Sequence, residues 1–320
     1  MKTLVFPNSS ISSSFARQYG YNEWLISRFL QFVPDVKGLI EKMEMKPTLY
    51  IRTNTLKIKT KDLKERLISK GFELEDTILD DVLVVKKETF RTGATTEYLL
   101  GYYYIQDLSS CLAVDALDVR ENQTVLDMAS APGGKTTYIS QKMKNTGILV
   151  ALETNARRIR ALLFNLRRCG VINTCIFKMD GNKAMDLNMR FDRVILDAPC
   201  SCEGVIAKDK TRKINHKPED IEFCAARQSS LIETAIRVVK PGGLLVYSTC
   251  SFAPEENEII VNLILEKLKN IEIEPISYGS EGLTNFGVLH FNPALKNTRR
   301  FYPHIHDTLG FYIAKLRLAN

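Results

Sequence analysis

The chain has 320 residues, 45% of them hydrophobic and 25% charged, with a formal net charge of +7. That length holds one large domain and a smaller one, and the basic balance points to an acidic partner, nucleic acid before an anionic membrane surface. Seven cysteines, an odd number without a C-x-x-C pair, exclude a secreted disulfide framework and fit a reducing, cytoplasmic setting.

The N-terminus carries only the apolar run Leu4-Val5-Phe6 before Pro7, too short for a signal sequence. No apolar run approaches the ~20 residues of a membrane helix. Residues 1–13 read as a loosely held tail. From Ser14 to about Val33 the pattern is helical, with Ser14 as cap and Phe15, Tyr19, Leu25, Phe29 and Phe32 near helical spacing. Strands are predicted at Thr48–Thr53 and Val82–Val85, around a helix at Lys61–Ser69 that Gly71 ends. This β-α-β run reads as a small ferredoxin/RRM-like α+β module, a type that often binds RNA on its sheet. Tyr102, Tyr103 and Tyr104 then offer either base stacking or packing between modules.

From Thr124 strand and helix alternate. Strands are predicted at Thr124–Ala129, Ile148–Glu153, Cys175–Asp180, Arg193–Ala198 and Leu244–Cys250, with later ones at Ile271–Ile276 and Phe311–Leu316. Helices fall at Gly134–Lys142, Asn155–Arg168, Glu219–Val239 and Glu255–Leu268, the third closed by a Pro241-Gly242-Gly243 turn. The helix from Asn155 carries Ile159, Leu162, Leu163 and Leu166 on one face, and Arg157, Arg160, Arg167 and Arg168 elsewhere. Repeated units of this kind imply a Rossmann-like, mostly parallel α/β sheet with helices on both faces. The expected segments are 1–45, helical; 46–105, the small α+β module; and 106–320, the large α/β domain.

Asp127–Thr136 is a strand end, a glycine loop and a helix start, a place where backbone N–H groups meet a polar ligand. Gly134-Lys135-Thr136 matches the end of a nucleoside-triphosphate loop, but Ala129 stands where its first glycine belongs, and Pro132 removes a donor. Three acids, Glu153, Asp180 and Asp197, end successive strands. They suit the hydroxyls and amine of an adenosine and would repel a triphosphate. The loop and the acids together favour S-adenosylmethionine, with a nucleotide hydrolase as the rival reading.

Cys200, after Asp197-Ala198-Pro199, and Cys250, after Ser248-Thr249, end neighbouring predicted strands, so two thiols would face one pocket. A thiol serves methyl transfer when the acceptor is a poorly nucleophilic ring carbon. Addition to C6 of a pyrimidine makes C5 nucleophilic, a covalent route that needs the base flipped out. Cys111, Cys169, Cys175 and Cys224 read as small buried hydrophobes. No cysteine pair has zinc spacing, His304 and His306 read as loop or packing residues, and no metal is expected.

With Ile51–Lys57, Gly101–Ser109, Asp127–Thr136, Asp197–Ser201, Lys240–Ser251, Glu255-Glu256-Asn257 and Arg299–Ile313, the chain resembles the Sun (Fmu) family of RNA cytosine-5 methyltransferases, which share the class I methyltransferase fold. The resemblance implies that Cys250 is the nucleophile, that Cys200 assists elimination, that Asp197 contacts base and cofactor edge, and that Lys135 lies near the base. It further implies a cofactor site lined by Ala129, Ser130, Ala131, Pro132, Gly133, Gly134, Lys135, Glu153, Arg158, Asp180 and Asp197. Cys202 is a departure, since glycine is frequent there in relatives.

The basic run after Cys200 is expected to contact RNA phosphates through Lys208, Lys210, Arg212 and Lys213. The expected substrate is tRNA, with rRNA second, for a cytoplasmic monomer without membrane contact. A catalytically dormant RNA-binding assembly factor is the non-enzyme rival.

Overall fold

The computed structural model describes residues 2–319; Met1 and Asn320, at the outer ends of the expected first and last segments, lie outside the described residues. Two compact units result, neither continuous in sequence. One holds 48–197 and 234–246, the other the chain up to Pro47 with 198–233 and 247–319.

The unit beginning at Thr48 contains a four-stranded antiparallel sheet of β1 (Leu49–Thr53), β2 (Glu73–Asp76), β3 (Val82–Lys87) and β4 (Tyr103–Ile105), in the order β2-β3-β1-β4. The helix Thr60–Ile68 buries Leu63 and Leu67 against Ile51, Phe72, Leu83, Val85 and Tyr103. Gly71, at φ +85°, ends that turn, a left-handed position that glycine takes without cost. The predicted β-α-β run is therefore present, and β2 and β4 add to it without a sequence signal. β2 is short and charged, so it lacks an apolar signature. Of the three tyrosines, Tyr103 is fully buried and its hydroxyl bonds Thr95 and the Thr92 carbonyl, a packing role.

The same unit carries parallel strands β5 (Thr124–Asp127), β6 (Ile148–Leu152), β7 (Thr174–Phe177) and β8 (Phe191–Asp197), ordered β8-β5-β6-β7. Their buried runs, Val125-Leu126, Leu149–Leu152 and Val194–Leu196, are continuous rather than alternating, as a sheet covered on both faces requires. Helices Gly134–Lys142 and Ala156–Cys169 make the crossovers. β9 (Val239–Thr249) lies beside β8 and contributes 239–246 here. The predicted Pro241–Gly243 turn runs instead inside β9, where Gly242 takes φ +72°. Leu163, expected to be buried with Leu162 and Leu166, is 37% exposed.

The other unit receives the end of β9, next to β15 (Phe311–Leu318), which pairs with β10 (Ile271–Glu274) and β14 (Arg299–Phe301), β14 in turn with β11 (Ser280–Glu281). β12 (Asn285–Phe286) and β13 (Leu289–His290) form a small hairpin. Two helices, Ser10–Tyr19 and Glu23–Phe32, replace the single one predicted from Ser14. Ser9 caps the first in a reciprocal capping box with Ser12, and Gly20, at φ +69°, stops it. A third helix, Val36–Glu44, lies inside the segment 1–45 expected to be helical, beyond the single helix placed from Ser14 to Val33. Leu25, Phe29, Leu39 and Ile40 from these helices form one core with Ile206, Phe252 and Tyr302. The expected loose tail is held: Thr3 N–H donates to Glu222, Leu4 N–H to Glu255, and buried Arg28 pairs with Glu255 at 2.6 Å. Among the described residues no helix is long and apolar enough to cross a membrane.

Candidate active site

In the unit beginning at Thr48, the loop after β5 is built around Asp127. Its buried carboxylate accepts from Thr136 Oγ1 at 2.7 Å and from the Ala129 N–H at 3.3 Å. Burial pushes its pKa up to about 6. Asp127 thus ties strand end to helix start and shapes the loop between. Gly133 takes φ +106°, and a Cβ there would stand 3.1 Å from Leu162 Cδ1. Arg52 on β1 reinforces the helix start: its guanidinium donates to the Gly134 carbonyl and to Thr137 Oγ1, both at 2.9 Å, and lies over the Tyr138 ring. Asp127, Thr136 and Arg52 carry loop functions that the sequence pattern does not assign. Arg52 had a signal, a basic residue inside an apolar strand.

The predicted cofactor residues gather here. Ser130, Ala131, Gly133 and Glu153 are buried, while Ala129, Pro132, Gly134, Asp180 and Asp197 keep a partly open face. Glu153, at the end of β6, accepts from the Asn155 N–H at 2.8 Å and pairs with Arg158 at 3.2 Å. Arg158 also donates to the Ala131 carbonyl, so it braces the loop. Asp180 caps the short helix Gly181–Leu187 through the Asn182 N–H. Lys135 Nζ lies 2.7 Å from Asp197 Oδ2. Small residues around an open backbone, with carboxylates at three strand ends, fit an adenosine carrying hydroxyls and an amine. They do not make a triphosphate cradle: the loop lysine is engaged by Asp197, and Pro132 offers no N–H.

In the other unit, three sulfurs converge. Cys200 Sγ lies 3.2 Å from Cys250 Sγ and 3.8 Å from Cys202 Sγ, and the Cys250 N–H donates to Cys200 Sγ at 3.3 Å. Cys200 and Cys202 shift in opposite directions. Hydrogen bonds with Cys202 and Cys250, together with burial, push the Cys200 thiol well above its ordinary range. Hydrogen bonds from Cys200 and Cys250 hold Cys202 below it, with Arg212 and His216 adding positive potential. Cys202 occupies a left-handed conformation, φ +64°.

The serine after each facing thiol reaches one carboxyl. Glu256, fully buried, accepts from the Ser201 N–H at 2.9 Å, from the Ser201 hydroxyl, from Ser251 Oγ at 2.6 Å and from Gln228 Nε2 at 2.8 Å. Gln228 also donates to the Pro199 carbonyl at 2.9 Å. Burial pushes the Glu256 pKa up to about 7. Asn257 completes the clamp, donating to the Ser251 carbonyl at 2.9 Å. A cavity of about 370 Å³ opens beside Cys200, lined also by Arg212, Asn215, His216, Phe223 and Cys224.

Not every predicted residue is placed as expected. Lys210 Nζ donates to the Met43 carbonyl, and Lys213 Nζ to the Tyr19 carbonyl at 2.7 Å and to Glu44 at 3.1 Å. Arg212 bonds the Ser201 carbonyl at 3.1 Å and pairs with Asp209. Each of these three thus has a partner within its own unit, Arg212 also lines the cavity, and of the four only Lys208 is exposed. Cys111 and Cys169 are buried as predicted, but Cys175 is exposed and Cys224 faces the cavity. His304 bonds the Pro34 carbonyl and His306 the Tyr302 backbone, the packing roles expected.

The family described as 16S rRNA methyltransferase RsmB/F matches residues 114–317, and the ferredoxin-like domain of RsmF/B-like methyltransferases matches 21–89. A mouse protein named 28S rRNA (cytosine-C(5))-methyltransferase is 43% identical over 97% of this chain and 40% of its own length. The chain spans 39–57% of the length of the curated relatives it matches. The crystal structure of a methyltransferase homolog protein from Pyrococcus horikoshii is 38% identical, covers 97% of this chain and 99% of its own, and superposes with a TM-score of 0.89. NSun6 from the same organism, solved with SFG, is 25% identical, with 99% of both chains covered and a TM-score of 0.78.

Proposed function

This chain belongs to the 16S rRNA methyltransferase RsmB/F family, and from that premise we propose that it transfers a methyl group from S-adenosylmethionine to C5 of a cytosine in RNA. The facing thiols carry the reading: Cys200 and Cys250 stand 3.2 Å apart on loops that one buried carboxyl clamps together. Ribosomal RNA is the substrate class, because the family description and the mouse relative both name rRNA. That reverses the tRNA-first order expected from the sequence.

Cys250, as thiolate, adds to C6 of a flipped cytosine and leaves C5 nucleophilic. Bound S-adenosylmethionine would supply the electrophilic methyl, its S–CH3 bond breaking as C5 takes the methyl and S-adenosylhomocysteine leaving as the product. The C5 proton then leaves to a base, the C6–S bond breaks, and Cys250 is released. Cys200, its thiol held protonated by its neighbours and by burial, hydrogen-bonds the departing sulfur and eases that step. The cavity beside Cys200, with Arg212 and Phe223 on its wall, has the size of a small-ligand site and receives the nucleotide. Asp197, three residues before Cys200 in the chain, contacts the base and is oriented by Lys135. Ala129–Lys135 with Glu153, Arg158 and Asp180 hold the cofactor.

The test supplies methyl-labelled S-adenosylmethionine with unmodified rRNA and tRNA transcripts. Label should enter 5-methylcytosine in rRNA and be lost with Cys250→Ala. Full transfer by that variant, or no transfer by the unaltered protein to either RNA, would overturn the reading.

A further inference from the structure

The helix Ala156–Cys169 presents an unused basic face. Between Thr154 and Met179 the sequence holds no acidic residue but five arginines and Lys178. Arg158 and Arg168 are consumed internally, by Glu153 and by the Tyr98 and Tyr103 carbonyls. Arg157, Arg160 and Arg167 are exposed, and none of their guanidinium groups bonds another described residue. Positions 157, 160, 164 and 167 are spaced three, four and three residues apart, which aligns their side chains along one line of a helix. That line reads Arg-Arg-Phe-Arg, and its aromatic member, Phe164, is 59% exposed.

A groove of about 500 Å³ runs beside this ridge, bounded by Arg160, Leu163, Phe164, Arg167 and Leu99, and Leu99 is itself 66% exposed. Exposed apolar side chains gathered in one patch mark an interaction surface. Unpaired guanidinium groups spaced around a ring face select a partner with regular negative charge and flat apolar faces. Single-stranded RNA has both: its phosphates meet the arginines and its bases stack on the ring. An acidic protein segment would satisfy the charge but not the lone aromatic platform between the arginines.

We propose that the Arg157-Arg160-Phe164-Arg167 ridge is an RNA-docking surface that holds single-stranded substrate by base stacking on Phe164 between phosphate contacts. The site rests on the RNA reading above, and its guanidinium groups are free of partners of the kind that hold Lys210 and Lys213 at Glu44 and at carbonyls.

The experiment measures binding of the full chain to a labelled 12-nucleotide single-stranded RNA by fluorescence anisotropy across a salt series. Phe164→Ala should weaken binding at least ~5-fold, the lower end of a base–aromatic stack, and leave the salt slope unchanged. Arg157→Ala/Arg160→Ala/Arg167→Ala should lower the slope by about 2, or ~0.7 for each phosphate no longer neutralised. All four side chains are exposed, so thermal melting should stay unchanged. Unaltered affinity and slope in both variants, with the parent chain binding, would overturn the ridge alone and leave an acidic protein as its partner. Failure of the parent chain to bind any RNA would overturn the substrate reading as well.

Discussion

The hydroxyls of Ser201 and Ser251 meet at 3.1 Å, and both point at the carboxyl of Glu256. Each serine follows one of the two facing thiols, so the spacing of Cys200 from Cys250 is set by a hydrogen-bonded clamp rather than by the thiols themselves. Removing the carboxyl with Glu256→Ala leaves the Ser201 N–H without its buried acceptor and takes from Gln228 Nε2 one of its two, the Pro199 carbonyl remaining. The expected loss is about 1–3 kcal/mol of stability, the cost of one stranded buried donor, read as a lower denaturation midpoint. Methyl transfer should fall through kcat, because substrate contacts stay in place while the thiols drift.

The same carboxyl makes a pH prediction. Its pKa is raised by burial to about 7 from an ordinary 4.5. Between those values the folded state binds more protons than the unfolded one, so stability should decline as pH rises from about 4.5 to about 7. Glu256→Gln cannot ionise and should flatten that part of a melting-temperature profile. An unchanged profile in the variant would place the titration elsewhere.

Cys202 sits at φ +64°, a conformation that costs a non-glycine residue roughly 1–2 kcal/mol. Cys202→Gly should therefore raise the melting temperature, offset in part by glycine's greater freedom when unfolded. Its thiol also shares the charge of the cluster with Cys200 and Cys250. Its loss should move the alkaline limb of the methyl-transfer pH profile, measured at saturating cofactor. Cys200→Ala should act differently, slowing release so that a denaturation-resistant protein–RNA adduct accumulates on a gel.

Arg52 is where the four-stranded sheet meets the cofactor loop. Its two bonds to Gly134 and Thr137 hold the helix start. Arg52→Met keeps the apolar length and removes both bonds, at an expected cost of about 2–3 kcal/mol for buried hydrogen bonds to a charged group. Cofactor affinity, measured by calorimetry, should weaken about 10-fold, since every 1.4 kcal/mol transmitted to the loop is tenfold in Kd.

Local patterns carried most of the parallel sheet. The buried runs of β5, β6 and β8 are continuous and apolar, and Gly134 after a strand end marks the loop. Asp197, Cys200 and Cys250 were each legible as residues at or just after strand ends, and Lys135 as the lysine of the glycine loop. What the sequence hid is contact between distant positions. Nothing local tells that Ser201 and Ser251, 50 residues apart, share Glu256, or that Gly20 splits one helical pattern into two. β2 stayed hidden because three of its four residues, Glu73, Glu75 and Asp76, are charged and exposed at a sheet edge, and only Leu74 packs inward. The basic run at 208–217 meets the same limit: composition shows its charge, but only tertiary structure shows that Lys210, Arg212 and Lys213 have partners within the protein while Lys208 is exposed.

That last point separates two kinds of lysine. Lys213 Nζ is 2.7 Å from the Tyr19 carbonyl, 3.1 Å from Glu44 and 5.2 Å from the Tyr21 ring centroid. Lys208 makes no comparable side-chain contact and is exposed. Lys213→Ala leaves the Tyr19 carbonyl without its donor and Glu44 with Lys210 as its remaining cation, and should cost about 1–3 kcal/mol of stability. It should leave the salt dependence of RNA binding untouched, because no counterion is released by a group that never reaches a phosphate. Lys208→Ala should do the reverse, with an unchanged melting temperature and a slope lower by ~0.7 as one phosphate contact is lost. Thermal melts and anisotropy titrations on the two variants side by side check both, and a reduced salt slope in Lys213→Ala would mean that its bonds to Tyr19 and Glu44 open when RNA binds.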